Sequence, residues 1–121
     1  MMEQIIPDRI YDGLPCSMVA VGSALKLTDQ ASVSRLKSDV LKNDGYLSLD
    51  GMNRLIRANM SVKKKVSYKR NERPSLKVWA AHTVERAIVC VYGHFLYFDG
   101  KDYHSFFNNA DDPIVAVWYL A

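Results

Sequence analysis

Two side chains in this sequence have types and settings suited to nucleophilic catalysis: Cys16 in "DGLPCSMVAVGSAL" and His94 in "VYGHFLYF". A thiol attacks as its thiolate, so it needs a lowered pKa and a base within reach. A helix N-terminus favours the thiolate through its partial positive charge, and its unpaired N–H groups can stabilise an oxyanion. Pro15 suits the first turn of a helix, where a missing N–H costs nothing, so Cys16 stands where a helix begins. The base should be a histidine on a rigid neighbouring element. His94 follows Gly93 and opens a strand-like run, whereas His82 falls near a helix end or loop and His104 on a strand surface. A free cysteine is more often plain core than a nucleophile, and Cys90 in "AIVCVY" reads that way.

The elements that must position these groups follow from periodicity. Residues 16–27 are apolar on nearly all sides, and Ala20, Gly22 and Ala24 let another element pack closely, so they predict a buried helix. A second helix starts at Ser32, with Val33, Leu36, Val40 and Leu41 as its stripe and "NDG" at 43–45 as its stop. A third starts at Ser48 or Asp50, with Met52, Leu55 and Ile56 inward and Arg54 and Arg57 outward. The basic stretch "SVKKKVSYKRNERP" fits a short exposed strand or a loop closed by Pro74, and residues 75–82 fit a helical turn or two. The last third is β-branched and aromatic, predicting strands at 86–92, His94–Phe98, 103–107 and Ile114–Leu120. "DGKD" at 99–102 is a hairpin turn, and Gly93 marks a bulge or a tight turn with Tyr92. Helices first and an antiparallel sheet last give an α+β class.

Hairpin register then selects a third group. A turn centred on Gly100 and Lys101 pairs Asp99 with Asp102 and sets His94 opposite Phe107; a three-residue turn sets it opposite Asn108. His104 falls opposite Tyr97 or Phe98, too far along the ladder at about 3.3 Å per residue to touch His94. The polar "NNADD" segment is better placed, with Asn108 or Asn109 favoured to orient His94 and Asp112 next.

This order (a helix-borne cysteine, a helical middle, "GH" opening a strand, a hairpin and a polar residue at its far end) resembles the papain-like cysteine peptidase fold. "GHFLYFDGKDYHSFFNNADDP" is similar to the bacterial leader-peptide-processing peptidases, in which a Gly-His-aromatic strand leads to an Asp-Pro after the hairpin. Papain itself uses an Asn at a comparable place. "GYLSLDGMNRLIRANMSV" resembles the helix that follows a polar start in that group. The resemblance spans most of the chain through short motifs. It implies one papain-like domain over 1–121, N-terminal helices packed on a C-terminal antiparallel sheet. It also implies a thiol hydrolase of the peptidase or amidase class, acting on a peptide or amide substrate through an acyl-enzyme. Cys16 would be nucleophile, His94 general base and then acid, and Asn108, Asn109 or Asp112 the orienting group. Where the family carries a Gln shortly before its cysteine, this chain has Ile10. An active enzyme then needs Gln4 or a backbone N–H as oxyanion donor; a non-catalytic copy needs neither.

A chain of 121 residues is the size of one domain with a real core. No apolar run reaches the roughly 18–20 residues of a membrane span, and the N-terminus lacks the basic start and apolar core of a signal peptide. A cytoplasmic location, or export without a classical signal, is the expectation. Two cysteines are too few for a disulfide framework, and with three histidines they show no zinc spacing, so no metal or cofactor is expected. Nine of the sixteen basic residues lie between Arg54 and Lys77 with Glu72 as the single acid among them. Such a run is usually a solvated face or a lysine-guarded edge strand. Read as a binding surface, Lys63, Lys64, Lys65, Lys69 and Arg70 suit an acidic protein partner. Nucleic acid is less well supported, since Tyr68 is the one aromatic residue offered for base stacking.

Overall fold

The structure, a computed structural model, describes residues 2–43 and 48–121. Helix α1 (Cys16–Leu25) begins directly after Pro15, which occupies the N-cap position. Met18 and Val19 both donate their N–H groups to the Pro15 carbonyl, at 3.0 and 3.2 Å. The helix ends two residues earlier than periodicity predicts. Lys26 adopts the left-handed conformation at φ 57°, and the N–H groups of Lys26 and Leu27 return to the carbonyls of Ser23 and Gly22, closing the last turn in a Schellman arrangement.

Helix α2 (Gln30–Asn43) starts before Ser32 because Asp29 is its cap: the Asp29 carboxylate accepts from the Ser32 N–H and hydroxyl, both at 2.8 Å. Of its expected stop, Asp44 and Gly45 lie outside the described residues. Helix α3 (Leu49–Asn59) is capped by Ser48, whose hydroxyl accepts from the Gly51 N–H at 3.0 Å. Its inward stripe is the expected one, with Met52, Leu55 and Ile56 fully buried.

Among the described residues six strands form one sheet: β1 (Gln4–Ile5), β2 (Val62–Ser67), β3 (Ala87–Val91), β4 (His94–Phe98), β5 (Tyr103–His104) and β6 (Ile114–Leu120). Their order is β1-β5-β4-β3-β6-β2. The class is α+β, but the sheet is mixed, correcting the antiparallel expectation: β1 runs parallel to β5, with Gln4 beside Tyr103. The basic stretch also joins the sheet, as an edge strand antiparallel to β6. Strand β5 is shorter than the expected 103–107. Ser105 donates its N–H to the Ile5 carbonyl at 3.1 Å, and pairing with β4 stops at Tyr97↔His104.

Both faces of the sheet are covered, which is why β3 reads as an unbroken apolar run. Ile88 and Cys90 pack with α1, α2 and α3. Ala87, Val89 and Val91 pack on the other side, beneath Trp79 of the short helix α4 (Leu76–Ala80). Two indole N–H groups lock these layers: Trp118 donates to Asn53 of α3 and Trp79 to the Tyr119 hydroxyl, each at 2.9 Å. No helix among the described residues is long and apolar enough to cross a membrane.

Candidate functional site

Two hairpins form, and the structure decides between the alternatives left open at each turn. Tyr92 and Gly93 link β3 to β4, with Gly93 at φ 78° and Val91 opposite His94. The second turn is the two-residue one, with the Asp99 N–H donating to the Asp102 carbonyl at 3.0 Å. At the Gly93 end of the sheet lies a pocket of about 260 Å³ lined by Cys16, Ser48, Leu49, Cys90, Gly93, His94 and Phe95. The fold therefore brings the first residue of α1 and the first residue of β4 to one cavity.

His94 is half-buried, and its partner is one that sequence reasoning missed. Its Nε2 lies 3.0 Å from Ser105 Oγ. The Ser105 hydroxyl donates to Asn109 Oδ1 at 2.7 Å, and Asn109 Nδ2 donates to Asp112 Oδ2 at 2.8 Å. The polarity of this chain is set at its far end. A carboxylate only accepts, so it turns the Asn109 NH₂ towards itself and the amide oxygen towards Ser105. Ser105 then spends its one proton on Asn109 and accepts from His94, as it also accepts from the Phe107 N–H at 3.1 Å. In the neutral ring Nε2 therefore carries the proton and Nδ1 the lone pair. The Phe107 ring stands edge-on to the imidazole, 5.4 Å between centroids.

Burial disfavours the imidazolium and holds His94 below its ordinary 6.5; the Asp112 charge acts in the opposite direction. Ser105 and Asn109 are themselves buried. A signal for Ser105 was present in the hairpin. With the observed register extended by one pair, Ser105 lies opposite Leu96 and so diagonal to His94, within reach of a ring on the same face.

The other expected site residues are distributed as follows. Asn108 does not reach His94: it accepts from the Tyr103 hydroxyl at 3.1 Å and from the Ala110 N–H. Asn109 and Asp112 are hydrogen-bonded to His94 only by way of Ser105, because the chain turns away from β4 after His104; the Asp112 charge is felt at the ring through space. Gln4 has its amide committed to the Ser105 carbonyl at 3.0 Å, so it buttresses the relay and does not donate to an oxyanion at Cys16. His104 bonds Asp99 at 2.8 Å, well away from His94 along the strands. Ser17, next to Cys16, is fully buried with a hydroxyl that has no hydrogen-bond partner.

Cys16 is partly exposed and Cys90 buried; both are free thiols. Burial, reinforced by the neighbouring Cys16, pushes the Cys90 thiol up to about 11, which makes it inert near neutrality. Alternation along β4 separates the two candidate partners. Phe95 and Tyr97 pack on the α1 side with Cys90, whereas Leu96 and Phe98 pack on the α4 side. His94 has the parity of the second set, and no hydrogen bond joins it to Cys16 among the described residues. The two side chains approach the pocket from opposite sides of the sheet end.

No family model, curated protein or solved structure matches this chain. The described residues also hold no cluster of metal-ligating side chains. On the basic strand, Lys63 pairs with Glu85 at 2.9 Å, and Lys64 and Lys65 lie over the rings of Tyr119 and Trp118. Lys69 and Arg70 are exposed.

Proposed function

We propose that the chain is a papain-like thiol hydrolase of the peptidase or amidase class, with Cys16 as nucleophile and His94 as general base. The observation that carries this reading is the polarity of the relay ending at Asp112, which leaves His94 Nδ1 as a lone-pair base in a pocket that Cys16 also lines. This reading requires substrate binding to draw ring and thiol together at the sheet end, as catalytic hydrogen bonds often tighten only in the complex. Nδ1 takes the Cys16 proton, the thiolate attacks the substrate carbonyl carbon, and the imidazolium returns the proton to the departing amine. Water then attacks the acyl-enzyme with Nδ1 again as base, releasing the acid and the free thiol. With Gln4 committed elsewhere, the oxyanion donors in this reading are the first N–H groups of α1, those of Cys16 and Ser17, which lie outside the helical ladder.

Iodoacetamide tests it. An activated pair gives Cys16-selective alkylation at about pH 6, faster than that of a free thiol such as N-acetylcysteine, and slowed in His94→Ala. Alkylation no faster than the free thiol ends this reading.

The opposite-side approach of His94 and Cys16 favours a second reading, a non-catalytic binding protein on the same fold. The edge strand β2 then presents Lys63, Lys64 and Lys65, with Lys69 and Arg70 beyond it, to an acidic protein. Charge reversal at Lys69 and Arg70 should abolish capture of a polyglutamate-bearing bead while Cys16→Ala leaves it intact.

A further inference from the structure

At the other end of α1 lies a cavity of about 650 Å³, walled by the helix C-terminus and the β4–β5 hairpin. That volume is within the ordinary range for small-molecule sites. Its floor is Arg86, and the guanidinium is fixed on two sides. Nε donates to the Tyr97 hydroxyl at 2.8 Å and Nη2 to the Ala24 carbonyl at 3.0 Å, while the group lies over the Tyr97 ring. A guanidinium has five N–H donors, so three remain, including one on each terminal nitrogen. That outer edge is the geometry that grips a carboxylate with two parallel bonds. Lys26, held in its left-handed turn, lines the same cavity, and its ammonium pairs with no carboxylate among the described residues.

Asp99, the one acid in the lining, is already satisfied. Its Oδ1 accepts from the Lys101 and Asp102 N–H groups and its Oδ2 from His104. The hydrogen-bonded pair His104–Asp99 thus forms a polar part of the cavity lining. One fixed cation (Arg86) and one exposed cation (Lys26) against one committed anion leave a single surplus positive charge. That matches a monoanion; a phosphate dianion would leave one charge uncompensated beside Asp99.

We propose that this cavity binds a small organic carboxylate, gripped by Arg86 and Lys26, with Leu25 against its apolar part. The site is independent of the thiol reading: Cys16 opens α1 and this cavity closes it, nine residues and about 13 Å apart along the helix axis. Its success or failure leaves the Cys16 alkylation result untouched.

The test is a butyrate titration of the full chain at constant ionic strength, read by NMR at Arg86 Nε–H and the Lys26 and His104 amides. Saturable shifts at all three, absent with the neutral isostere butyramide, are expected. Lys26→Gln, an exposed change that keeps the fold, should weaken binding about tenfold, the loss expected of one charge-assisted bond. Arg86→Gln should abolish the shifts at Lys26 and His104, with thermal unfolding and the amide spectrum showing that α1 is retained. No saturation below about 50 mM, a weak-binding ceiling near the millimolar scale of affinities, would overturn the proposal. So would equal shifts with butyramide, unchanged binding in Lys26→Gln, or inorganic phosphate binding as tightly as butyrate.

Discussion

Asp112 is joined to the His94 ring through two intervening side chains, Asn109 at 2.8 Å and Ser105 at 2.7 Å from the asparagine and 3.0 Å from the ring. Because a carboxylate can only accept, each donor in the chain points towards Asp112 and away from His94 Nδ1. One acid at the far end thus decides the tautomer of a half-buried histidine that it never touches. The same geometry puts charge and hydrogen bonding in one line, so each link can be tested separately.

Replacing Asp112 with Asn removes the charge that raises the His94 pKa and leaves burial unopposed. The His94 pKa should fall further below 6.5 in Asp112→Asn, and the Nε2–H tautomer should lose its dominance because an amide can face Asn109 either way. Imidazole ¹⁵N shifts followed through a pH titration measure both effects. An unchanged or raised pKa would contradict the assigned relay.

Ser105 is 1% exposed and serves three partners, so it is the weakest point of the relay. Ser105→Ala leaves the Asn109 carbonyl and the Phe107 N–H facing a methyl group. A loss of about 1–3 kcal/mol is expected for such orphaned buried groups. Urea unfolding measures it, and Ser105→Thr, which keeps the hydroxyl, should recover part of the loss.

The local part of this architecture was legible, because turns and caps are written in adjacent residues. Tyr92-Gly93 and "DGKD" located both hairpins, and Ser48 located the start of α3. The parallel strand β1 was not legible: two residues carry no period, and their partner at Tyr103 is remote in sequence. The start of α2 was placed two residues late, at Ser32, for a physical reason: Ser32 reads as a cap, but Asp29 is the cap and Ser32 bonds to it. The candidate site was half legible. For the group beside His94, residues directly opposite were considered and the diagonal neighbour Ser105, its actual hydrogen-bond partner, was not. Which face of β4 meets α1 could not be read, because both "H-L-F" and "F-Y" sets are apolar enough to be buried.

His94 also predicts a pH window. Its pKa is depressed in the folded state, so folding disfavours the proton that the unfolded chain accepts near 6.5. The stability is fully present above that value and is lost as pH falls from 6.5 to the folded pKa, below which the penalty is constant. Urea midpoints should therefore drop between pH 7.5 and 5.5 more in the parent chain than in His94→Gln. Equal slopes in the two proteins would mean that burial of this ring does not set the acid sensitivity.

Gly22 tests how α1 is seated. Tyr11 is buried against the helix, and its hydroxyl donates to the Leu27 carbonyl at 2.6 Å; burial, with Asp8 nearby, pushes that phenol up to about 12. A methyl at Gly22 would stand 2.5 Å from the Tyr11 ring. The ring cannot retreat without giving up its bond to Leu27. Ala is favoured over Gly in a helix by about 1 kcal/mol, but overpacking a core costs about 1–3 kcal/mol, so steric conflict wins. Gly22→Ala should lower the unfolding midpoint in the parent chain and raise it in a Tyr11→Ala background, where the space is open. That reversal of sign in a double-mutant cycle isolates the Tyr11–Gly22 contact as the reason a glycine stands in the middle of α1.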